Sequence, residues 1–337
     1  MWLLTSLMQI YYPFFMMLMT LGMFMAISSH SWFMVWIGLE VNMYSFIPML
    51  LHSNMHKRKE SASKYFLVQA LGSAMLLTAT LSMPTQPMFS SFMFISSLLL
   101  KAGLAPLHFW FPSIMAISPW FSCFLLSTIQ KIAPVTLLMY SFPINTQSML
   151  ILGSLMTLIG GMGGMNQTQL RSIMAYSSIG QMGWMITASQ VSQKISTLMF
   201  INYIITASSI MMIFAYMEWD TSNQPNFMTG QYKTSIILLM LLIINLSGIP
   251  PFPGFIFKAM VLYKLLWINA IKTSIIIITG SIMSLYFYLK IVFNTLFSSS
   301  NKTYIKETHM SVMEAITLIT MSLMSILIIM FIIPWII

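Results

Sequence analysis

Residues 98–112 read LLLKAGLAPLHFWFP, which places a lysine and two helix-breaking residues inside an apolar run. The charge belongs to Lys101, and the breakers are Gly103 and Pro106. Proline removes a backbone N–H donor and clashes with the preceding turn, so a helix through this stretch is interrupted. In a membrane, free backbone groups are tolerated only where protein or a wet cavity satisfies them. The stretch therefore predicts a broken membrane helix that faces the protein interior.

The whole chain has the composition of a polytopic membrane protein. Of its 337 residues, 58% are hydrophobic and only 6% are charged, whereas a soluble domain carries about 25% charged residues. The net charge of +9 comes from 15 basic and 6 acidic residues. The basic residues do not gather in a stripe with interleaved aromatic residues, which argues against nucleic acid as a partner. The composition instead predicts that the chain is surrounded by membrane lipid.

The cysteine content limits the cofactors that the chain can hold. Cys123 is its single cysteine. One thiol cannot form an internal disulfide, and it cannot build an iron–sulfur cluster or a structural zinc site from thiolates. The sequence also lacks a GxGxxG motif after a strand, so no dinucleotide site is expected. We therefore predict that this chain has no cofactor site and no metal site.

The apolar segments predict an all-α fold of eleven transmembrane helices. A spanning helix needs roughly 20 mostly apolar residues. We place the spans near residues 8–28, 32–51, 61–82, 88–118, 122–141, 147–165, 170–190, 195–217, 233–268, 272–297 and 312–335. The fourth and the ninth of these are too long for one straight helix, and both contain helix breakers.

The two long spans also point to an internal repeat. The ninth contains SGIPPFPGFIFK at residues 247–258, whose prolines predict a second broken helix. If spans 1–5 and 6–10 are two copies, the breaks fall at equivalent positions, and the odd number of spans inverts the second copy. Paired interrupted helices in corresponding halves mark a transport site. We therefore predict one transmembrane domain, residues 1–337, with repeat one at about 8–141, repeat two at about 147–297 and an extra C-terminal helix at about 312–335.

The loops predict an orientation. Lys and Arg are enriched in loops on the negative, cytoplasm-like side of a membrane. Loops on the side of the N-terminus hold seven of them: Lys57, Arg58, Lys59, Arg171, Lys233, Lys302 and Lys306. The opposite loops hold Lys194 and Lys272. This bias predicts the N-terminus on the negative side and, after eleven crossings, the C-terminus on the other.

Four ionisable residues fall near the middle of predicted spans: Glu40, Lys101, Lys131 and Lys258. A charge at mid-membrane costs about 2.5–3.5 kcal/mol on insertion scales, so each needs a partner or water. One acid cannot neutralise three lysines, and desolvation brings the pKa of a buried lysine towards neutrality. We therefore predict a proton path along the membrane plane, in which the position of Glu40 relative to Lys101 controls the proton of that lysine.

Structural roles are the alternative for these charges. Glu40 could pair with a lysine only to fix helix packing. Lys101 and Lys258 could cap the half-helices that break beside them. Lys131 fits a structural role least, because nothing in its own span balances it.

Other polar groups are candidates for a proton relay. His108 lies just beyond the first break, where it could instead bond a freed carbonyl. The seventh span supplies Tyr176, Ser177, Ser178 and Gln181. Small and hydroxyl residues are also ordinary packing material between membrane helices, so both interpretations remain open.

Six motifs together carry a resemblance to a known family. They are WIGLEVNMYSFIPML (36–50), KYFLVQA (64–70), KAGLAPLHFWFP (101–112), QKIAP (130–134), GGMNQTQLRSIMAYSSIGQMGW (163–184) and GIPPFPGFIFK (248–258). In this order they resemble the NADH dehydrogenase subunit 2 family of animal mitochondria. These are antiporter-like membrane-arm subunits of NADH–ubiquinone oxidoreductase, respiratory complex I. The family pattern places a functional glutamate at Glu40 and functional lysines at Lys101, Lys131 and Lys258.

The resemblance implies two inverted five-helix repeats and a role in proton translocation driven by electron transfer from NADH to ubiquinone. It implies a place in the mitochondrial inner membrane, with the N-terminus in the matrix and the C-terminus on the intermembrane side. NADH, flavin, iron–sulfur clusters and ubiquinone are expected in partner subunits. The implied partners are other complex I subunits, especially neighbouring antiporter-like ones. Two further classes stay open: a stand-alone cation/proton antiporter of similar fold, and an inert scaffold whose charges only pair.

Overall fold

The computed structural model describes residues 2–51, 56–140, 146–217, 219–221, 233–250 and 252–299. Within these ranges every regular element is an α-helix, and an isolated bridge joins Gln169 to Thr221. Seven of the described helical stretches are long and apolar enough to cross a membrane. Large apolar side chains such as Phe24, Leu67 and Leu71 remain exposed, as expected of helices that face lipid. The all-α multi-pass membrane fold is confirmed.

The helices follow ten of the predicted spans. In chain order they are α1 (Trp2–Ser28), α2 (Trp32–Leu50), α3 (His56–Ser82), α4 (Pro87–Ala102), α5 (Trp110–Ile117), α6 (Trp120–Ser127), α7 (Ile129–Tyr140), α8 (Thr146–Met165), α9 (Leu170–Val191), α10 (Gln193–Tyr216), α11 (Lys233–Ser247), α12 (Pro253–Trp267) and α13 (Ile271–Ser299). The eleventh predicted span, 312–335, lies outside the described residues, so the count of eleven stays a prediction.

The fourth and ninth spans are broken, as the sequence predicts. The first break separates α4 from α5, and the second separates α11 from α12. Gly103 and Gly248 follow the first half-helices with φ of 65° and 77°. This left-handed region is open to glycine and costs other residues about 1–2 kcal/mol. At the first break, the peptide bond between Ala105 and Pro106 is cis. Glycine and proline thus determine locally where each of the two helices is interrupted.

The fifth span contains a further break that the sequence analysis did not anticipate. Thr128 separates α6 from α7, with φ −111° and ψ −80°. Its Oγ1 donates a hydrogen bond to the carbonyl of Phe124 at 2.6 Å. Such bonds from a threonine side chain to the backbone compete with the regular helix and bend it. The tenth span, by contrast, is one continuous helix, α13.

The chain divides into two compact units, residues 1–146 and 147–337. Glycines bring helices into backbone contact within each. In the first unit a Cβ at Gly22 would lie 2.8 Å from the carbonyl oxygen of Gly38, which joins α1 to α2. In the second a Cβ at Gly183 would lie 2.6 Å from the carbonyl oxygen of Gly153, which joins α8 to α9. Small residues allow such close approach between membrane helices. The inverted relation of the two repeats stays a prediction.

We expect Gly103→Ala to destabilise the chain by about 2–4 kcal/mol. The left-handed backbone is unfavourable for an alanine. Its Cβ would also lie 2.8 Å from Cβ of Phe111, so the substitution overpacks the core. Thermal unfolding of the purified chain in detergent measures the effect. Gly180→Ala is the matched control, because a Cβ there meets nothing within 4 Å. Equal midpoints for the two variants would contradict this account of the first break.

Candidate functional site

Glu40 on α2 and Lys101 on the last turn of α4 form a buried ion pair in the first unit. The distance from Glu40 Oε1 to Lys101 Nζ is 4.0 Å, and the two residues are 8% and 5% exposed. A direct charged hydrogen bond is shorter, about 2.7–2.9 Å. The ammonium of Lys101 makes no hydrogen bond to the described residues. The pair is therefore close enough for strong attraction but is not locked in contact.

The backbone at the first break is satisfied without the Lys101 side chain. The N–H of Leu104 donates to the carbonyl of Leu99 at 2.9 Å, and that of Gly103 donates to Leu100 at 3.2 Å. This pattern is the Schellman motif that commonly ends a helix at a glycine. It satisfies two carbonyls of the last turn of α4.

Two side chains from neighbouring elements supply further donors. Nε2 of Gln69 donates to the carbonyl of Lys101 at 3.1 Å. Nε1 of Trp110 donates to the carbonyl of Leu100, also at 3.1 Å. The neutral side chains of Gln69 and Trp110 thus cap the C-terminal end of α4. They make the hydrogen bonds that were considered for the Lys101 ammonium. The ammonium is left facing Glu40.

One face of α3 is shaped to receive the Lys101 side chain. Gly72 makes room for it, because a Cβ there would lie 2.9 Å from Cγ of Lys101. Tyr65 and Gln69 are seven and three residues before Gly72, a spacing that puts all three on the same face of a helix. The helix α3 therefore contributes the Tyr65 hydroxyl, the Gln69 amide and the space beside Gly72 to the site.

Lys131 lies in the first turn of α7, directly after the break at Thr128. Its side chain is 1% exposed, and its Nζ lies 4.0 Å from the centroid of the Phe111 ring. An ammonium over an aromatic face at this distance is attracted by the ring. The first turn of a helix carries the positive end of the helix dipole, which is an unfavourable place for a cation. The break at Thr128 thus places Lys131 at the N-terminal end of α7, with its ammonium facing the Phe111 ring.

A buried polar network links α2, α3 and α7 around these charges. The hydroxyl of Tyr65 donates to Oε1 of Gln130 at 3.1 Å. Nε2 of Gln130 donates to Oδ1 of Asn42 at 2.9 Å and to the Asn42 carbonyl at 3.3 Å. All three residues are buried. The network connects the helix that carries Glu40 with the residue that precedes Lys131.

His108 lies in the segment between α4 and α5 and is buried. Its Nδ1 lies 3.2 Å from the carbonyl oxygen of Pro106, and its ring stacks on Phe109. The bond to a carbonyl at the break is the structural role considered for this histidine. A relay role for His108 stays a prediction.

Lys258 in the second unit does cap a broken helix. Its Nζ donates to the carbonyls of Ser247 at 2.9 Å and Leu246 at 3.4 Å, which are the last two residues of α11. It also lies 5.8 Å from the centroid of the Trp184 ring. A cation at a helix C-terminus is favoured by the helix dipole. The same ammonium is therefore the structural cap and the candidate proton carrier.

Gly248 and Asn245 complete the second break. A Cβ at Gly248 would lie 2.9 Å from Nζ of Lys258, so glycine leaves the path of the ammonium open. Oδ1 of Asn245 accepts a hydrogen bond from the N–H of Gly254 at 2.9 Å. That N–H belongs to the first turn of α12 and has no partner within its own helix. Each half-helix therefore provides a side chain that satisfies the end of the other.

Gln181 on α9 also reaches this break. Its Nε2 donates to the carbonyl of Leu246 at 2.9 Å, an acceptor that it shares with Lys258.

Two small cavities adjoin Gln181. The first, of about 20 Å³, is lined by residues including Asn202, Tyr203 and Asn245. The second, of about 10 Å³, is lined by residues including Thr157, Ser177, Ser281 and Ser284. Volumes of about 10–15 Å³ suffice for one water molecule.

The other three relay candidates of α9 lie close to Gln181 in the sequence. The hydroxyl of Ser177 donates to the carbonyl of Met174 at 2.8 Å, and that of Ser178 donates to Ala175 at 2.6 Å. Ser177 also lines the second cavity beside Gln181. Tyr176 is half-buried, and its ring packs against Gly163. Gln181 shares an acceptor with Lys258, and a relay role for all four residues stays a prediction.

Several residues that build the site were not predicted from the sequence. They are Asn42, Tyr65, Gln69, Gln130 and Asn245. A usable signal was present, because each is a polar residue within a predicted apolar span. Tyr65 and Gln69 are also four residues apart, which is the spacing of one helix face. In the part of the chain that the structure describes, no group of three or more His, Cys, Asp or Glu residues could hold a metal ion.

Comparisons with known proteins identify the family of the chain. Residues 81–285 match the family described as NADH:quinone oxidoreductase/Mrp antiporter, TM. The NADH-ubiquinone oxidoreductase chain 2 of Lumbricus terrestris is 41% identical over 278 residues, which cover 81% of this chain and 83% of that protein. The protein of the same name from Strongylocentrotus purpuratus is 37% identical over 299 residues, 85% of each chain.

Solved structures share the fold. A chain of respiratory complex I from Thermus thermophilus matches with a TM-score of 0.75 at 20% identity, over 84% of this chain and 70% of that chain. A chain of the Mrp complex from Dietzia matches with a TM-score of 0.77 at 17% identity, over 83% of this chain and 60% of that chain. At such identities the likeness concerns the fold alone. The similarity in sequence goes further, and by it the chain belongs to the NADH-ubiquinone oxidoreductase chain 2 family.

Proposed function

We propose that the chain is a membrane-arm subunit of a proton-pumping NADH:ubiquinone oxidoreductase, respiratory complex I. In this proposal Glu40, Lys101 and Lys131 transfer protons in the first unit, and Lys258 does so in the second. The observation that carries it is the buried pair of Glu40 and Lys101, whose charged atoms are 4.0 Å apart. Buried ionisable residues in a membrane protein are expensive, and they mark ion pathways and proton relays.

The redox chemistry belongs, in this proposal, to partner subunits. Oxidation of NADH and reduction of ubiquinone need flavin and iron–sulfur centres, and this chain has a single cysteine for clusters that require several. Neighbouring antiporter-like subunits of the membrane arm are the expected contacts. The proposed location is the mitochondrial inner membrane, with the N-terminus in the matrix and the C-terminus on the intermembrane side. The loop charges support this orientation.

The spacing of Glu40 and Lys101 suits a proton switch. At an effective dielectric constant of about 20, two unit charges at about 4 Å attract with about 4 kcal/mol, and at about 8 Å with about 2 kcal/mol. Moving the carboxylate away would thus weaken proton binding by the lysine about 30-fold. The movement required is small, because displacing α2 or α4 by a few ångströms separates the two charges this far. Electron transfer elsewhere in the complex would supply the driving force.

Purification separates this proposal from a stand-alone antiporter. A complex I subunit should co-purify in mild detergent with NADH-oxidising partners. Cation-for-proton exchange by the isolated chain in liposomes would support the antiporter instead.

We expect Lys131→Met to lower proton pumping by the assembled complex at least tenfold. Methionine fills the space of the lysine stem but carries no proton, and positioned acid–base groups contribute about 10²–10⁴-fold to proton-transfer rates. Pumping is measured in liposomes that contain the intact complex, as protons moved per NADH oxidised.

Lys64→Met is the matched control, because Lys64 lies at the exposed start of α3 and pairs with Glu60. We expect this variant to pump normally. Normal pumping by Lys131→Met at a normal level of assembly would support the inert scaffold and refute the proton role.

Two substitutions separate the capping and proton roles of Lys258. Arginine keeps the positive charge and several donors for the carbonyls of Ser247 and Leu246, but it does not release its proton in proteins. We expect Lys258→Arg to assemble and to lose most of its pumping. Lys258→Met removes the cap and should also lower the amount of assembled complex, measured by native gel electrophoresis. Full pumping by Lys258→Arg would leave Lys258 with the structural role alone.

A further inference from the structure

Gln130 occupies the centre of the buried network described above. Its carboxamide oxygen accepts from Tyr65, while its nitrogen donates to Asn42. A glutamine amide is suited to this place, because it offers an acceptor and donors at once and carries no charge. The three side chains come from α3, α7 and α2, so the network fixes three helices at one depth.

The two ends of the network lie at the proposed proton groups. Asn42 lies two residues after Glu40 on α2. At the other end, Gln130 immediately precedes Lys131 in the first turn of α7. A change in the position of Glu40 is therefore transmitted through Asn42 to the residue next to Lys131.

The first turn of α7 needs such an anchor. The helix is interrupted at Thr128, and the N–H of Lys131 donates to the Thr128 carbonyl at 3.1 Å, three residues back instead of the regular four. Pro134 lacks an N–H, which leaves the carbonyl four residues earlier, that of Gln130, without its helical donor. Bonds from the Gln130 side chain to α2 and α3 add fixed points to a turn whose own backbone bonding is irregular.

We propose that Gln130 is a positioning residue that couples the Glu40–Lys101 pair to Lys131. Through its bonds to Tyr65 and Asn42 it holds the first turn of α7 so that the Lys131 ammonium lies over Phe111. The proposal rests on the proposed function, since it assigns Gln130 to the orientation of a lysine that transfers protons. Gln130 itself carries no proton in this scheme.

The coupling works through α2, which carries both Glu40 and Asn42. While Glu40 is paired with Lys101, the Gln130 amide is held between Asn42 on α2 and the Tyr65 hydroxyl on α3. When the pair separates, a displacement of α2 moves Asn42 together with Glu40 and weakens the bond to Gln130. The first turn of α7 is then held from one side and can rotate. The position of Lys131 thereby follows the state of Glu40.

The test uses the assembled complex in liposomes and compares Gln130→Met with Tyr65→Phe and Lys131→Met. Methionine keeps the length of glutamine without its hydrogen bonds, and phenylalanine keeps the packing of the Tyr65 ring on Phe46 and Trp110. We expect Tyr65→Phe to lower the protons moved per NADH oxidised about fivefold, the effect of roughly one lost hydrogen bond. Gln130→Met should lower this ratio further, because it also removes the bonds to Asn42. The double variant should be no worse than Gln130→Met, because both remove the same bond.

Thr136→Val is the matched control, because within the described ranges the Thr136 hydroxyl bonds to carbonyls of its own helix, α7. Its proton-to-NADH ratio should be normal. If Gln130→Met pumps like Thr136→Val while Lys131→Met is inactive, the positioning role is wrong and the proposed function stands. If Lys131→Met pumps normally, the proposed function itself fails.

Two remaining outcomes also decide the question. A lower amount of complex with an unchanged proton-to-NADH ratio would show that Gln130 is merely structural and would overturn the proposal. If Gln130→Met fails to assemble, Tyr65→Phe decides alone, because it removes one hydroxyl and keeps the ring. A normal ratio for Tyr65→Phe would then refute the coupling.

Discussion

The need to satisfy backbone groups at two interrupted membrane helices governs the arrangement of this site. Each break frees carbonyls and N–H groups at a depth where water is scarce and an unsatisfied group costs several kcal/mol. The donors that reach those carbonyls decide what the nearby lysine can do. At the first break, Gln69 and Trp110 satisfy carbonyls of α4, so the Lys101 ammonium faces Glu40. The ion pair therefore depends on two neutral caps that lie outside it.

The three buried lysines differ in their relation to helix dipoles. Lys101 is in the last turn of α4, and the Lys258 ammonium contacts the last carbonyls of α11, so both charges lie at negative helix ends. Lys131 lies in the first turn of α7, at a positive end, where the Phe111 ring faces its ammonium. The contacts described above thus differ among the three ammonium groups: a carboxylate faces Lys101, an aromatic ring faces Lys131, and backbone carbonyls accept from Lys258.

The sequence alone predicted the features that local chemistry determines. Gly103 and Pro106 at the first break, and Gly248 with its neighbouring prolines at the second, interrupt a helix wherever they occur, so both breaks followed from residue type. The cost of burying charge predicted that Glu40 needs a partner or water, but it does not say which of the three lysines lies beside it. The break at Thr128 could not be predicted from the sequence, because a threonine inside a helix usually bonds to its own backbone without ending the helix. The caps from Gln69 and Trp110 depend on which helices pack together, and no residue pattern within one span reveals that.

The two breaks solve the same backbone problem with different chemistry, and the difference bears on how each lysine can lose a proton. Lys101 makes no hydrogen bond among the described residues, so deprotonation changes its attraction to Glu40 and leaves the end of α4 intact. Lys258 donates two hydrogen bonds to α11, so a neutral amine there would hold the same carbonyls more weakly. Gln181 shares the Leu246 acceptor and remains when the lysine weakens. In the proposed path, proton release at Lys258 would thus loosen the end of α11, which Gln181 continues to hold.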